Sequence, residues 1–302
     1  MTRRWPDTLP GVITPGYSLS PIDPSLRTDM ELGEPRVRRL TFARRDRSTQ
    51  AWRFSDAEMG VFRAWHEDAV VSLAGDSDSI AHWSRTNATL SAGAGLSPDL
   101  IPADRLIASA ASGLHNATLA LPDAAIDGVD LVAWATLQAA GVTQAKLVII
   151  GRDGVYRGGE VDLTTGAVGS VDAGVGCVVK DRGNGAWRVE LRANVGTGLI
   201  DPQVRIALMD GAGGLSWTGT GLTGVDVSET QVRVVTGQDL FIPADADGKA
   251  RGAAGGAAWF LMTLPVGGGW TRKEVRFAGM YNGVAGAGLT WRVEGEVMVR
   301  DA

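Results

Sequence analysis

The residues able to do acid–base, nucleophilic or metal chemistry are scattered and complete no catalytic motif. The segment GTGLTG at 219–224 has dinucleotide-binding spacing, but the alternating VDVSETQVRV after it predicts a strand. A tight turn is therefore expected there, because no helix N-terminus follows to hold a pyrophosphate. The HED at 66–68 is half of a zinc-protease motif without its second histidine, and His82 and His115 are isolated. We expect these histidines at the surface or in loops.

Acidic residues and serines are equally unspecific. Asp245 and Asp247 precede Gly248 as in a calcium loop, but the later ligands of an EF-hand are missing. No G-x-S-x-G segment marks a nucleophilic serine. The 34 acidic residues leave a carboxylate pair for glycoside hydrolysis open, but nothing singles a pair out. We expect no catalytic residues, no bound metal, no cofactor and hence no enzyme.

Two alternating segments offer residues suited to sugar binding. In LVAWATLQ, Trp134 shares a strand face with Thr136 and Gln138, and in WRVELRAN the core-facing Trp187 opposes a charged face. If both strands lie in one sheet, its outer face presents an exposed indole beside planar donors, which suits the C–H faces and hydroxyls of sugars. The open alternative is an ordinary solvated face. The candidate carbohydrate-binding residues are Trp134, Thr136, Gln138, Arg188, Glu190, Arg192 and, as an extension of the patch, Arg205.

A run of arginines lies between residues 36 and 53. It has three interpretations: a nucleic-acid track, a solvated hairpin, or a contact between subunits of a ring. We favour the third, because arginine pairs bidentately with acidic neighbours and Phe42 alone is a thin aromatic platform for bases. The candidate oligomer-contact residues are Arg36, Arg38, Arg39, Arg44, Arg45 and Arg47.

These side chains require elements to position them. Proline-rich sequence before Arg27 predicts an extended arm lying on a neighbouring subunit, and residues 36–54 predict a long β-hairpin. Ser55 and Glu58 form a capping box ahead of a helix. Its apolar stripe consists of Met59, Phe62 and Trp65.

That stripe needs a sheet, and suitable strands return only after residue 255, as AAWFLMTLP, EVRFAGMYN and LTWRVEGEVMVR. In the middle of the chain, between the helix and these late strands, further strands recur every ten to fifteen residues with glycine-rich turns. The 41 glycines, about twice the usual ~7 per cent share, agree with an all-β chain. We predict a small β-barrel or sandwich with one helix, formed by residues 1–70 and 251–302 and interrupted by an inserted jelly-roll sandwich at 71–250.

Two resemblances fit this division. The outer series LPGVITPGYSLSPIDPSLRTDMELGEPRVRR, FRAWHED, GAAWF and WRVEGEVMV resembles tail proteins of short-tailed phages and, more distantly, distal tail and minor tail proteins of long-tailed phages. This resemblance implies a ring under the tail tube. The middle series HWSRTNATLS, DGVDLVAWATLQA and DRGNGAWRVELRA is similar to jelly-roll carbohydrate-binding domains of phage spikes and fibres, which implies sugar binding.

The sequence thus predicts a tail-tip protein that forms a trimeric or hexameric ring, contacts the tail tube and tail hub proteins, and binds host surface polysaccharide. The alternatives are a capsule-degrading tail enzyme and a purely architectural tail protein. A net charge of −5 opposes nonspecific nucleic-acid binding, and no apolar run predicts a signal peptide or membrane insertion. We expect assembly in the bacterial host cytoplasm and a final place in the virion. The lone Cys177 is expected to be a buried, inert thiol.

Overall fold

The computed structural model describes residues 5–6, 8–13, 18–21, 25–28, 36–39, 46–67, 72–75, 77–98, 102–121, 126–235, 259–266, 269–278, 281–286 and 290–301. The chain divides into two compact units. The terminal unit consists of Met1–Ala69 and Ala250–Ala302, and the central unit is Val70–Lys249.

The elements in chain order begin with β1 (Ser18–Pro21), β2 (Ser25–Thr28), β3 (Arg36–Arg39), β4 (Asp46–Ser55), α1 (Asp56–His66), β5 (Ser84–Thr86), β6 (Ala88–Leu96), β7 (Pro102–Ala108), β8 (Ser112–Ala120), β9 (Asp130–Ala140) and β10 (Gln144–Ile150). They continue with β11 (Tyr156–Asp162), β12 (Val168–Val171), β13 (Gly176–Gly183), β14 (Ala186–Asn194), β15 (Gln203–Met209), β16 (Ser216–Thr218), β17 (Gly224–Val234), β18 (Phe260–Val266), β19 (Gly269–Phe277), β20 (Asn282–Gly286) and β21 (Thr290–Asp301).

The terminal unit holds a six-stranded antiparallel sheet in which both ends of the chain take part. Its strand order is β1-β4-β21-β19-β18, with β20 also paired to β21. Strands β4 and β21 run side by side from the pair Ser55 and Thr290 to the pair Asp46 and Val299. Segments separated by more than 200 residues therefore share one sheet.

Helix α1 begins where the sequence predicts. The Ser55 N–H donates to the Glu58 carboxylate over 2.7 Å, and the Glu58 N–H donates to the Ser55 hydroxyl over 3.3 Å. This reciprocal cap satisfies two backbone donors that the first turn leaves without helical partners. The apolar stripe is confirmed, because Met59, Phe62 and Trp65 are all buried.

An aromatic cluster forms the core of the terminal unit. The Trp65 ring meets the Phe260 ring edge-on at a centroid distance of 4.8 Å, and Trp5 stacks on Trp52 at 5.5 Å. The backbone N–H of Trp5 donates to the Leu261 carbonyl over 2.8 Å. The prediction that the N-terminal arm lies on a neighbour is therefore wrong for Trp5, which packs into the core of its own unit.

The predicted hairpin across residues 36–54 also differs from the structure. Strand β3 pairs with β2, whereas β4 pairs with β1 and β21. No pairing of β3 with β4 occurs in the part of the chain that the structure describes. Periodicity predicts where strands lie but not which strands pair. Strand β21 pairs with β4 along the whole length of β4, which a short local hairpin would not allow.

The central unit is a sandwich of two antiparallel sheets. One sheet has seven strands in the order β12-β11-β10-β15-β8-β16, with β5 added to β8, and the other has six in the order β13-β14-β9-β17-β7-β6. Apolar residues of both sheets, among them Leu147, Ile206, Leu137 and Val227, form one buried cluster. The all-β prediction is confirmed as antiparallel sheets, and none of the described sheets closes into a barrel.

Candidate functional site

The six-stranded sheet of the central unit places the two predicted sugar-binding strands, β9 and β14, side by side. Trp134 lies opposite Glu190, and Thr136 lies opposite Arg188 in the β9–β14 register. Strand alternation therefore predicts which residues share the outer face.

The exposure predicted for this face is wrong. Trp134 is only 3% exposed, and Thr136 and Arg188 are buried as well. Seven consecutive residues of β9 are buried, which is the burial pattern of a central strand covered on both faces. The Trp134 Nε1–H donates to Glu190 Oε2 over 3.2 Å, and the Arg233 guanidinium lies 5.3 Å from the indole centroid. Trp134 is a packed residue and not an open platform.

An ionic cluster around Glu229 occupies the same outer face. Glu229 is fully buried and adopts a φ of 52° at an irregularity where the register of β17 shifts between Ser228 and Gln231. Its carboxylate accepts hydrogen bonds from Arg188 over 2.6 Å, Arg182 over 3.0 Å and Thr136 over 2.5 Å. Such convergence of donors is what lets a carboxylate remain ionised inside a protein. No local sequence signal predicts this bulge, since glutamate rarely adopts a positive φ.

The other predicted residues separate. The side-chain amide of Gln138 donates to the Asn184 carbonyl over 2.8 Å, and Arg192 lies opposite Val132 with partial exposure. Arg205 belongs to β15 in the seven-stranded sheet, so the prediction that it extends the Trp134 patch is wrong. Sheet membership is set by long-range pairing, which alternation within one strand does not report.

The seven-stranded sheet has its own polar outer face, centred on Tyr156 and Arg205. Arg205 lies opposite Thr118 on one side and Val148 on the other, and Tyr156 lies opposite Ile150. The Arg205 Nε–H donates to the Thr118 hydroxyl over 3.2 Å. Its guanidinium lies 5.4 Å from the centroid of the Tyr156 ring. We call the outer surface formed by Tyr156, Arg205, Thr118, Lys146, Glu160 and Asp172 the Tyr156 face.

Arg205 must cross β10 to reach this ring. The strand between β15 and β11 carries Val148 and Ile150 on the outer side, and each is only 5% exposed. The aliphatic stem of an arginine can cover such apolar groups while its charged head stays in water. Tyr156 itself is 56% exposed. An aromatic ring is thus held at the surface beside a fixed cation.

Lys146 and two carboxylates complete the Tyr156 face. The Lys146 ammonium lies 3.5 Å from Glu160 Oε1 and 3.5 Å from Asp172 Oδ1. Asp172 also accepts the Gly158 N–H over 2.8 Å. A Cβ on Gly158 would lie 2.7 Å from the Lys146 Cε, so glycine leaves room for the lysine stem. Both carboxylates are therefore committed to one cation and to backbone donors.

This arrangement suits a sugar. An exposed phenol ring offers a stacking surface for C–H groups, and the neighbouring guanidinium offers charge-assisted hydrogen bonds to hydroxyl or acidic groups. Tyr156 is not among the residues predicted from the sequence, although GVYRGGE places it two positions before Gly158, a glycine on the same strand face. Its partner Arg205 lies 49 residues away in sequence. Only the pairing of β10 with β11 and β15 brings the two together.

The predicted oligomer contact is only partly visible. Arg36, Arg38 and Arg39 lie in β3, where their side chains are outside the described residues. Arg44 and Arg45 are outside the described residues altogether, and Arg47 is exposed on β4. The contact between subunits stays a prediction.

The motifs set aside in the sequence have structural explanations. GTGLTG leads into strand β17, and Gly221 has a φ of 75°, as a tight turn requires. His82 is exposed, but His115 is buried in β8, where its ring nitrogens contact the carbonyls of Asn87 and Trp217. The surface or loop expectation is therefore wrong for His115 and also for His66, which is buried in α1. Within the described ranges, no group of three or more His, Cys, Asp or Glu residues could hold a metal ion.

Cys177 lies on β13 with partial burial. Burial, followed by the nearby Glu190 carboxylate, raises the pKa of its thiol. A thiol with a raised pKa carries little thiolate at neutral pH, as expected for an unreactive cysteine.

Comparison with known proteins adds little to the site. No protein family and no curated protein match the chain. Among solved structures, the chain is similar to the enzymatically active domain of tailspike protein 4 from bacteriophage CBA120, with a TM-score of 0.34 and 14% identity. The match covers 55% of this chain and 22% of that one. Structural likeness at this level defines neither the fold nor the activity of this chain.

The comparison nevertheless bears on two predictions. The prediction that the protein is not an enzyme does not stand, since the tailspike domain in this comparison is described as enzymatically active. At a TM-score of 0.34 this assigns no activity to the present chain. The match concerns a phage tailspike and not distal tail or minor tail proteins. In the described part of the chain, no helix has the length and apolarity needed to span a membrane.

Proposed function

We propose that the central unit binds a host surface polysaccharide through the Tyr156 face, and that the protein serves in a phage tail during adsorption. The observation that carries the proposal is the contact between the exposed Tyr156 ring and the Arg205 guanidinium, 5.4 Å from the ring centroid. A ring at the surface beside a planar donor matches the mixed apolar and polar character of a sugar.

The surroundings of this pair support the proposal. The Arg205 side chain is anchored by Thr118, and the apolar residues beneath it are already covered. The face is therefore pre-organised, and binding loses less side-chain entropy than it would on a mobile surface.

The setting in a phage tail rests on the sequence resemblance. In this setting the terminal unit assembles a trimeric or hexameric ring through the arginines of residues 36–47 and contacts the tail tube and tail hub proteins. Several copies of the Tyr156 face then engage one polysaccharide. Linked sites raise avidity by about 10² to 10⁴ without new contacts, so a weak contact at one site becomes useful.

A second candidate function is cleavage of the polysaccharide on the same face. The observation that favours it is the convergence of Glu160 and Asp172 on Lys146, each at 3.5 Å. Glycoside hydrolases use two carboxylates on either side of the scissile bond, one as acid and one as nucleophile or base. General acid catalysis needs a protonated carboxyl group, so one of the two carboxylates must leave Lys146 when substrate binds.

The test uses the full chain on an array of bacterial capsule and lipopolysaccharide glycans, with reducing-end release measured in parallel. Tyr156→Ala should weaken binding at least about tenfold. It should lower the melting temperature only slightly, because the ring is at the surface. Trp270→Ala is the control, since this residue is 60% exposed in the terminal unit. Equal binding by Tyr156→Ala and the parent chain would exclude this face.

Cleavage has a separate outcome in the same experiment. Release of reducing ends that Glu160→Gln abolishes, with binding retained, would establish the second candidate. Release that survives both Glu160→Gln and Asp172→Asn would place the reaction elsewhere.

A further inference from the structure

The arginines of the central unit fall into two groups by what neutralises them. Arg105 contacts Asp226 over 2.6 Å, and Arg188 contacts Glu229 over 2.6 Å. Arg152, Arg157 and Arg182 also contact carboxylates, on Asp127, Asp153 and Glu229 respectively. Carboxylates are thus the usual partners of arginine in this unit.

Arg205 has a different environment. Its contacts with described residues are the hydrogen bond from Nε to the Thr118 hydroxyl and the Tyr156 ring. No carboxylate among the described residues pairs with it. The two acidic residues of the Tyr156 face, Glu160 and Asp172, pair with Lys146. The Arg205 charge therefore keeps no protein counter-ion on this face.

The geometry of the guanidinium leaves one edge for a ligand. Nε donates to the Thr118 hydroxyl, and no described residue accepts a hydrogen bond from the two terminal nitrogens, which form a parallel pair of donors. Such a pair matches the two oxygens of a carboxylate, and these charge-assisted bonds are roughly twice as strong as neutral ones. The aromatic ring beside them takes the adjoining C–H surface of the same sugar.

We propose that the sugar bound at the Tyr156 face carries a carboxylate, as uronic and sialic acids do, and that Arg205 binds this group. The inference rests on the proposed function and names its ligand class. A neutral sugar of the same shape would leave the guanidinium with weaker hydroxyl contacts. Lysine could supply the charge at this position but not the two-point geometry.

The test compares each acidic glycan with its own neutral derivative. The probes are oligosaccharides of galacturonate, of mannuronate and guluronate, and of glucuronate, together with oligosialic acid, each paired with its carboxyl-reduced form. Binding of the full chain is measured by biolayer interferometry at low and high salt. We expect at least one acidic probe to bind about tenfold or more tightly than its reduced form, since charge-assisted bonds are the stronger class.

Variants assign that preference to Arg205. Arg205→Gln should remove the preference while leaving residual binding to both forms, and Arg205→Lys should keep only part of it. The control is Arg85→Gln, because Arg85 is an exposed arginine of the same sheet that donates to the carbonyls of Ala81 and Trp83. Melting temperatures of all variants verify that the sandwich is intact.

The outcomes separate this inference from the proposed function. Equal binding of acidic and reduced forms, both lost in Tyr156→Ala, would keep the proposed function and overturn the carboxylate inference. A preference that survives Arg205→Gln would also overturn it, as would stronger binding to sulfated glycans than to any carboxylated probe. Absence of binding to every probe and to the capsule array would remove the proposed function itself.

Discussion

Trp134 and Glu190 are register partners on adjacent strands, and the indole Nε1–H donates to the Glu190 carboxylate over 3.2 Å. The partnership satisfies the polar edge of a ring that is otherwise packed, with the Arg233 guanidinium 5.3 Å from its centroid. On the outer face of the central unit's six-stranded sheet, Trp134 is therefore fixed by polar contacts within the unit.

The burial of Trp134 predicts a structural effect. Trp134→Ala should lower the free energy of unfolding of the central unit by about 3–5 kcal/mol, the usual cost of emptying a buried tryptophan site. Tyr156→Ala, at a residue 56% exposed, should cost less than about 1 kcal/mol. Urea titration monitored by circular dichroism compares the two. Similar costs would show that Trp134 is not packed as described.

Gly166 and Gly174 form a matched pair for testing close packing. Both have positive φ values, 73° and 75°. A Cβ on Gly166 would overlap the indole ring of Trp187, whereas a Cβ on Gly174 meets nothing within 4 Å.

Both alanine variants should lose about 1–2 kcal/mol from the left-handed backbone, but Gly166→Ala should lose a further ~1–3 kcal/mol from overpacking. Thermal unfolding measures the difference. Equal melting temperatures would mean that Trp187 moves aside at no cost.

The Glu229 cluster should be intolerant of removing its acid. Glu229→Ala leaves Arg188 and Arg182 with a buried charge to solvate, and breaking a buried pair in this way costs about 3–5 kcal/mol. Asp226→Ala should cost less, because its partner Arg105 keeps 33% side-chain exposure and can recover water contacts.

Chemical denaturation compares the two variants. Adding Arg188→Met to Glu229→Ala should restore part of the lost free energy of unfolding, because it removes the buried Arg188 charge that Glu229 no longer neutralises. A double variant no more stable than Glu229→Ala would contradict the charge explanation.

Asp153 should titrate at unusually low pH. The hydrogen bond from Arg157, then that from the Val155 N–H, lowers the pKa of Asp153 to about 2. Since the folded pKa is depressed, the stabilisation from this group is present above the unfolded value of ~3.9 and is lost as pH falls towards the folded value.

Carbon-13 NMR titration of the aspartate carboxyls measures this pKa directly. Arg157→Gln should move the pKa of Asp153 back towards its ordinary value. Asp162 is the internal control, because its pKa is lowered chiefly by the Thr164 N–H and should not respond. An unchanged Asp153 in Arg157→Gln would show that the backbone contacts alone lower its pKa.

Cys177 should react slowly with thiol reagents. Its pKa is raised first by burial and then by the Glu190 carboxylate, so little thiolate is present at pH 8. The comparison is Val178→Cys in a Cys177→Ser background, because Val178 is 47% exposed on the same strand. Labelling with an aromatic disulfide should be at least about tenfold slower for the native cysteine. Equal rates would indicate an open thiol.

Several features that local sequence predicts are present in the structure. The reciprocal cap of Ser55 and Glu58, the buried stripe of α1 and the grouping of Trp134 with Thr136 all depend on residues a few positions apart. Short-range hydrogen bonding and the helix and strand periodicities determine such features, so they can be predicted before any tertiary contact is known.

The exposure of a strand face and the sheet to which a strand belongs cannot be predicted from local sequence in the same way. Alternation separates the two faces of β9 but does not say whether a face is covered, so Trp134 was expected in solvent and is packed. Arg205 alternates correctly within β15 yet belongs to the sheet opposite the one expected. The positive φ of Glu229 has no sequence signal, because a bulge arises from the register of two distant strands.

The all-β character, the start of α1 and the inward residues of individual strands can be predicted from the amino-acid sequence, because they follow from local propensity and periodicity. The contact of Tyr156 with Arg205 on one outer face, and the burial of Trp134, depend on how the strands pair and pack in three dimensions. The reason is that strand pairing joins residues far apart in the chain, and its register depends on the packing of the whole sandwich.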